Sequence, residues 1–158
     1  MSKLEMPVII PVRTQSQRCP QKVTRPFYNG KSLTEIAAEK FKGDRNAYIA
    51  ANEPVFEEIA EKYGISYVHR TQESVMAETV TGYLSFLKSF DCDAVCNFNV
   101  CCPFTSRETV DRGIRTYLEK GCRTLIPVVE DCEVYVDHNF KPLNEDAAIA
   151  NSKMRKPV

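Results

Sequence analysis

The stretch that most constrains the fold lies near the start of the chain, at residues 7–22. It begins with the apolar, β-branched run VIIPV at residues 8–12, which is typical of a strand buried on both faces of a parallel sheet. The sequence then becomes polar and basic, so a loop must follow this strand directly. Ligands of open α/β sheets bind at the carboxyl ends of the strands, and the loop is therefore predicted to lie at a binding edge.

The loop carries groups that bind phosphate. Arg13, Arg18 and Lys22 bring positive charge, and Ser16 brings a hydroxyl. Guanidinium and ammonium groups suit phosphate oxygens. No acidic residue occurs in residues 7–34, although the chain as a whole has a net charge of zero. A local basic loop in a neutral protein favours a small anionic ligand, and a solvated surface loop is the alternative.

The composition limits the class of protein. The 21 basic and 21 acidic residues balance, so no overall field favours nucleic acid or a membrane surface. No apolar run approaches membrane-spanning length. The seven cysteines form no Cys-x-x-Cys pair and no signal peptide precedes them, which predicts free, mostly buried thiols in a reducing cytoplasm. The length of 158 residues suits one domain.

Strand and helix patterns alternate along the chain. This alternation predicts an α/β fold, a mostly parallel sheet with helices on both faces. Capping boxes at residues 32–35 and 105–108 predict helix starts, and Asn52 and Gly64 are predicted caps of a further helix. The predicted strands cover residues 8–12, 45–51, 65–68, 94–99 and 123–129. Long helices are predicted at residues 75–89 and 105–120. A hairpin is predicted around residues 137–139.

The basic loop resembles the first motif of the cytidylyltransferases that activate acidic sugars, namely the acylneuraminate (CMP-sialic acid synthetase) family and its Kdo-activating relatives. Thr14 and Gln15 stand where many members have Gly-Gly, although Kdo-type members also lack that pair. Val23 stands where sialic-acid members have an Asn after the Lys. The resemblance implies a three-layer, Rossmann-like nucleotide-diphospho-sugar transferase fold. The residues that match in order and spacing are Ile10, Pro11, Arg13, Ser16, Arg18, Pro20 and Lys22.

A weaker resemblance follows the fourth predicted strand. Pro103 and Phe104 match the Pro-Leu of the family's second motif, and Asn99 takes the place of a Gln that contacts the nucleotide. The resemblance implies Mg²⁺ as a cofactor, but Cys101 stands where Kdo-type members carry a magnesium-binding Asp. Because Mg²⁺ prefers hard oxygen ligands, no metal ligand is predicted in this chain. A nucleophilic or soft-metal role for Cys101 and Cys102 is the less favoured alternative.

The resemblance implies a reaction and a set of site residues. The reaction is transfer of CMP from CTP to the hydroxyl of an acidic sugar, with release of pyrophosphate. Arg13 and Lys22 would be the catalytic residues, and Arg70, at the end of the third predicted strand, would bind the triphosphate or the sugar carboxylate. The nucleotide-binding residues implied are Arg13, Thr14, Gln15, Ser16, Arg18, Lys22 and Asn99.

Members of that family are longer than this chain. They continue with a further strand, magnesium-binding acidic residues and dimerisation elements, so residues 1–158 are expected to be a shortened or truncated single domain. We expect either the chain's own tail or a second copy in a homodimer or other oligomer to complete its sheet. Three alternatives stay open: a nucleotide-binding relative without catalysis, a different sugar nucleotidyltransferase on the same fold, and a small α/β domain with incidental similarity.

Overall fold

The computed structural model describes residues 6–16, 19–77, 79–128, 136–141 and 143. The chain divides into two compact units, Met1–Lys120 and Gly121–Val158, which are described separately below. The single-domain expectation stays a prediction. In the described residues the strands are β1 (Val8–Pro11), β2 (Pro26–Tyr28), β3 (Lys31–Ser32), β4 (Ala47–Ala51), β5 (Ser66–His69) and β6 (Cys96–Asn97).

Helices follow or connect these strands in the first unit. In the described residues they are α1 (Leu33–Lys40), α2 (Pro54–Tyr63), α3 (Gln72–Met76), α4 (Val80–Tyr83) and α5 (Arg107–Lys120), with a 3-10 helix at Ser85–Ser89. Crossing a bilayer requires a longer and more apolar helix than any in this part of the chain.

A four-stranded parallel sheet with the order β5-β4-β1-β6 forms the centre of the first unit. Val8 and Ile10 of β1 join a core that includes Phe41 and Phe56, on the side of α1 and α2. On the opposite face, Tyr48 of β4 packs edge-on against Phe90, with 4.9 Å between ring centroids. The prediction of a mostly parallel α/β sheet covered on both faces is confirmed. β2 and β3 form a separate antiparallel hairpin.

The capping box at the start of α1 is confirmed and ties this helix to its neighbour. The backbone N–H of Glu35 donates to Ser32 Oγ at 3.2 Å, and the backbone N–H of Ser32 donates to Glu35 Oε2 at 3.0 Å. Lys62 of α2 bonds the other oxygen of Glu35 at 2.7 Å. α2 then ends at Gly64, whose φ of 67° lies in the left-handed region that glycine favours, as predicted.

The prediction of one long helix at residues 75–89 is wrong. α3 ends where Ala77 is extended, and α4 and the 3-10 helix follow as separate short segments. The buried side chain of Arg70 explains the interruption. It donates to the carbonyl oxygens of Ser74 and Tyr83, which an uninterrupted helix would use for its own i→i+4 hydrogen bonds.

Several local predictions for α2 and α5 are also wrong. Asn52 does not cap α2, because the N-cap position is Glu53 and the Asn52 amide donates to Gln72 instead. The apolar spacing of α2 predicts a buried face at Val55, Ile59 and Tyr63, but Phe56 is buried and Val55 is exposed. The helix α5 begins after Ser106, whose Oγ accepts the N–H of Thr109. The spacing of α5 predicts that Val110, Ile114 and Leu118 face inward; Val110 is buried, whereas Leu118 is 63% exposed.

The second unit carries little regular structure in its described residues. The predicted strand at 123–129 is wrong for residues 123–128, which form no strand, and Ile126 and Val128 are exposed. The turn predicted at 137–139 is present, because the Asp137 N–H donates to the Lys141 carbonyl at 2.8 Å. The strands predicted to flank it, and the tail, lie mostly outside the described residues.

Glu35 gives the first unit a testable dependence on pH. Its hydrogen bonds from the Lys62 ammonium and the Ser32 N–H lower the pKa of its carboxyl. A lowered folded-state pKa means that the contribution of Glu35 to stability is complete above the ordinary value of 4.5 and is lost as pH falls through the lowered value. We therefore expect Glu35→Gln to be less stable than wild type at neutral pH and nearly equal to it once the pH is below the lowered pKa.

Urea unfolding of wild type and Glu35→Gln across that pH range measures this difference. Glu58→Gln, on the exposed side of α2, is the matched control and should run parallel to wild type. A stability gap for Glu35→Gln that stays constant from neutral to acidic pH would contradict the assignment.

Candidate functional site

The order of the strands creates a crevice beside the carboxyl end of β1. β1 lies between β4 and β6 in the sheet. After β1 the chain continues to the β4 side, whereas β6 pairs with the other side of β1. The loops that follow β1 and β6 therefore diverge at the carboxyl ends of these strands and leave a crevice between them. Hydrogen bonds fix the start of each loop. The Val12 N–H, after β1, donates to the Ala50 carbonyl at 3.0 Å, and the Phe98 N–H, after β6, donates to the Ile9 carbonyl at 2.8 Å. Such switch points are where open α/β sheets bind ligands.

A cleft of about 640 Å³ occupies this crevice. Thr14 is not among the residues that line it, and Arg18 lies outside the described residues. The volume falls in the range of small-molecule sites. The structure brings together in this cleft six of the residues predicted from sequence: Arg13, Gln15, Ser16, Lys22, Arg70 and Asn99.

Arg70 is the most constrained of these residues, with 1% of its surface exposed. Its Nε donates to Ser74 Oγ at 3.3 Å, and its Nη2 donates to the carbonyl oxygens of Ser74 at 2.9 Å and Tyr83 at 3.1 Å. The guanidinium lies 4.3 Å from the ring centroid of Tyr83 and 5.0 Å from that of Phe86. The side chain of Tyr83 also interacts with Arg70 through a side-chain hydrogen bond.

Among the described residues no carboxylate forms an ion pair with Arg70. Burial lowers the pKa of Arg70, the side chain of Tyr83 raises it, and the charges of Arg13 and Glu53 act in opposite directions, Arg13 lowering and Glu53 raising the pKa. The guanidinium stays protonated at neutral pH. Among the described residues that line the cleft, Arg13, Lys22 and Arg70 are cationic and none is acidic. Buried charges are normally paired, so the arrangement favours an anionic ligand as the missing partner.

The basic loop is held in shape by its own side chains. Arg13 extends across the cleft, and its Nη1 donates to the Val75 carbonyl of α3 at 2.8 Å. A guanidinium has five N–H groups, so this bond leaves most of its donors for a ligand. Ser16 Oγ accepts the N–H of Cys19 at 3.3 Å.

Asn99 offers only part of its amide to the cleft. Its Oδ1 accepts the N–H of Cys101 at 2.9 Å and so stabilises the turn after β6. The NH₂ group makes no hydrogen bond in the described part of the chain. Asn99 can therefore donate to a ligand acceptor such as a carbonyl, a hydroxyl or a phosphate oxygen.

Glu53, which sequence patterns did not single out, fixes the loop from the other side. Its Oε1 accepts both the backbone N–H of Thr14 at 2.8 Å and the Thr14 hydroxyl at 2.7 Å. Thr14 thus positions the loop, and its N–H is not available to a phosphate in this conformation. Glu53 Oε2 is buried without a hydrogen-bond partner. The one feature of the sequence that could have indicated this role is the position of Glu53, two residues after the end of a strand.

The described residues do not fit a magnesium site. None of the residues lining the cleft is a carboxylate, and Cys101 lies at the position where the resemblance called for an acidic ligand. Mg²⁺ requires oxygen donors, which a thiol does not provide. In the described part of the chain no group of three or more His, Cys, Asp or Glu side chains is arranged to hold a metal ion.

The sequence itself connects this cleft to a known family. The profile of one family, described as cytidylyltransferase, matches residues 7–156. The matched range includes the basic loop, Arg70 and Asn99. The chain belongs to the cytidylyltransferase family. No curated protein matches this family member significantly by sequence.

Solved structures share the fold of this cytidylyltransferase-family chain at low sequence identity. A cytidylyltransferase from Leptospira borgpetersenii is 22% identical, with a TM-score of 0.60 over 73% of this chain and 50% of its own. CMP:2-keto-3-deoxy-manno-octonic acid synthetase, complexed with CTP, is 15% identical, with a TM-score of 0.63 over 98% and 70%. 4-Diphosphocytidyl-2C-methyl-D-erythritol synthase from Anaerococcus prevotii is 14% identical, with a TM-score of 0.53 over 96% and 66%.

These similarities show the fold, and the share of each solved structure that this chain covers differs between them. The chain spans about half the length of the Leptospira cytidylyltransferase.

The contact between Glu53 and Thr14 can be tested without any ligand. Thr14→Val removes the hydroxyl bond to a carboxylate, which should lower the free energy of unfolding by about 1–2 kcal/mol. The same substitution in a Glu53→Gln background should cost clearly less, since the charged acceptor is already gone. Urea unfolding of the double-mutant cycle measures the coupling. A parallel cycle with the exposed Glu57→Gln should show additivity, and equal coupling in the two cycles would contradict the role of Glu53.

Proposed function

We propose that this chain binds CTP in the cleft beside β1 and transfers its CMP group to the hydroxyl of an acidic sugar, of the sialic-acid or Kdo type, with release of pyrophosphate. The observation that carries the proposal is the set of three cations, Arg13, Lys22 and Arg70, in one cleft whose described lining residues include no carboxylate. A nucleoside triphosphate supplies the compensating negative charge. Membership of the cytidylyltransferase family favours the cytosine base.

Arg13 and Lys22 would act on the phosphates. Attack of the acceptor hydroxyl on the α-phosphate builds negative charge on its oxygens, and the bond to pyrophosphate breaks as the new P–O bond forms. Both side chains are exposed in the cleft and can bond phosphate oxygens. Because they belong to a loop that Ser16 and Glu53 hold in place, they would be positioned before the substrate arrives.

Arg70 and Asn99 would fix the nucleoside. The guanidinium of Arg70 is held rigidly by the bonds of Nε and Nη2 to Ser74 and Tyr83, so it would bond a base or ribose oxygen with little loss of entropy. The free NH₂ group of Asn99 faces the same cleft from the turn after β6. Gln15 and Ser16 add hydrogen-bonding groups near the phosphates.

Magnesium is a proposed cofactor, inferred from the resemblance. When bound, the ion would neutralise phosphate charge during transfer. Because the described lining residues supply no carboxylate for it, we assign no step to the metal. We also propose a cytoplasmic protein without nucleic-acid or membrane partners, assembled as a homodimer or other oligomer.

The same observation favours a second candidate function. A cleft that keeps the cations but has a thiol at Cys101 is suited to bind a nucleotide without turning it over. The alternative is therefore a non-catalytic nucleotide-binding relative that acts through a partner.

Titration calorimetry of CTP against the purified chain tests both candidates. We expect Lys22→Ala to weaken CTP binding roughly 10- to 100-fold, because it removes a charge-assisted bond to phosphate. The matched control is Lys42→Ala, an exposed lysine that precedes β4 at the opposite edge of the sheet; it should bind as wild type does.

Magnesium separates the two candidates in the same experiment. Strongly tighter CTP binding with magnesium supports the enzyme, and binding indifferent to magnesium supports the non-catalytic relative. No binding of CTP by the folded chain would contradict both.

A further inference from the structure

Three thiols line one cleft of this protein. Beside the cleft proposed to bind CTP lies a second one, of about 700 Å³, whose lining includes Cys19, Cys101 and Cys102. The expectation of mostly buried thiols is wrong here, because Cys101 and Cys102 are exposed and Cys19 is half-buried. A small molecule in solution can therefore reach them, and the proposed transfer of CMP gives them no role.

Cys101 differs from the other two cysteines because it lines both clefts. The lining of the first cleft includes Arg13 and Arg70, that of the second includes Arg25, and Lys22 belongs to both. The described residues that line the two clefts include no carboxylate. Positive charge that is not offset in this way raises the local concentration of small anions, so anionic reagents are directed to Cys101 in particular.

The surroundings of Cys101 suit thiol–disulfide exchange with an anionic partner. A cysteine thiolate attacks a disulfide sulfur, and access to the attacking sulfur is one of the factors that set the rate. Cys101 is exposed, and its backbone is held in the turn after β6, where its N–H donates to Asn99 Oδ1 at 2.9 Å. The thiol is thus accessible on a fixed backbone and lies between two groups of cations.

We infer that Cys101 is a site of reversible modification, which takes an anionic low-molecular-weight thiol supplied as its disulfide. The Cys101 sulfur attacks one sulfur of the disulfide, whose S–S bond breaks as a new S–S bond to Cys101 forms. The other half leaves as a thiolate and takes up the proton that Cys101 gave to solvent. Cys101 is oxidised and the leaving half is reduced, and an added thiol reverses the step.

The modification also acts on the first cleft. Because Cys101 and Lys22 line both clefts, the attached group lies where the two spaces meet. Its carboxylates pair with the cations that the proposed function assigns to the phosphates and repel an incoming triphosphate. Modified protein therefore binds CTP more weakly. This consequence rests on the proposed function, whereas the modification of Cys101 does not.

Reaction of the purified chain with two disulfides of opposite charge tests the site, with peptide mass spectrometry to locate the adduct. Each rate at Cys101 is divided by the rate for the same protein unfolded in urea. We expect anionic glutathione disulfide to react at least about 10-fold faster than cationic cystamine at low salt, and the preference to shrink as salt is added. Arg25→Gln should reduce the preference, and Arg115→Gln, an exposed arginine on α5, should not. Equal rates for the two disulfides, or glutathione attached at Cys19 or Cys102 in place of Cys101, would overturn the inference.

Calorimetric titration of CTP into the glutathione-modified chain tests the consequence. We expect its affinity to fall about 10-fold or more and to return after treatment with dithiothreitol. Cys101→Ser, treated in the same way, should keep the affinity that it has before treatment, whereas Cys102→Ser, the matched control, should lose affinity as wild type does. If Cys101 is modified and the CTP affinity stays the same, the link to the first cleft is wrong. If CTP binds neither the modified nor the unmodified chain, the proposed function fails, while the two disulfide rates still decide whether Cys101 is the modification site.

Discussion

The buried guanidinium of Arg70 organises the binding edge of this protein. The guanidinium of Arg70 is enclosed by Ser74, Tyr83 and Phe86, and satisfies its donors with carbonyl and hydroxyl oxygens of the segment after β5. This demand for oxygen atoms interrupts the helix that the segment would otherwise form. Because neutral oxygens solvate a cation only in part, the site retains a preference for an anionic or strongly dipolar ligand.

The parallel sheet brings the other functional groups to Arg70. β1 lies between β4 and β6, so the loops after these strands converge although they are far apart in sequence. Glu53 at the end of β4 holds the basic loop through Thr14, and Asn99 at the end of β6 closes the cleft. The cleft departs from a metal-dependent site in having the Cys101 thiol where a hard oxygen ligand is needed, and this departure distinguishes the proposed enzyme from the proposed binding protein.

The sequence predicted those parts of the fold that depend on local patterns. Three such predictions are confirmed, and in each the local residues determine the backbone conformation. They are the strand at VIIPV, the capping box of Ser32 and Glu35, and the helix end at Gly64. The helix at 75–89 was mispredicted because its apolar spacing is helical, whereas a side chain from a distant strand end competes for its carbonyl groups. The burial of Phe56 in place of Val55 likewise depends on how α2 lies on the sheet.

Site residues were predictable where they belong to a motif and not where they depend on tertiary contact. Six of the predicted residues line one cleft, since motif and topology agree. Glu53 belongs to no recognised motif, and its role follows from a hydrogen bond to Thr14, 39 positions away in the sequence.

The most direct test of the account is nuclear magnetic resonance of ¹⁵N-labelled protein titrated with CTP. The account predicts that the Arg70 Nε–H signal and the amides of residues 15, 16 and 99–101 shift together with one affinity, while those of α5 stay unchanged. Shifts that leave Arg70 unaffected and cluster elsewhere would contradict it.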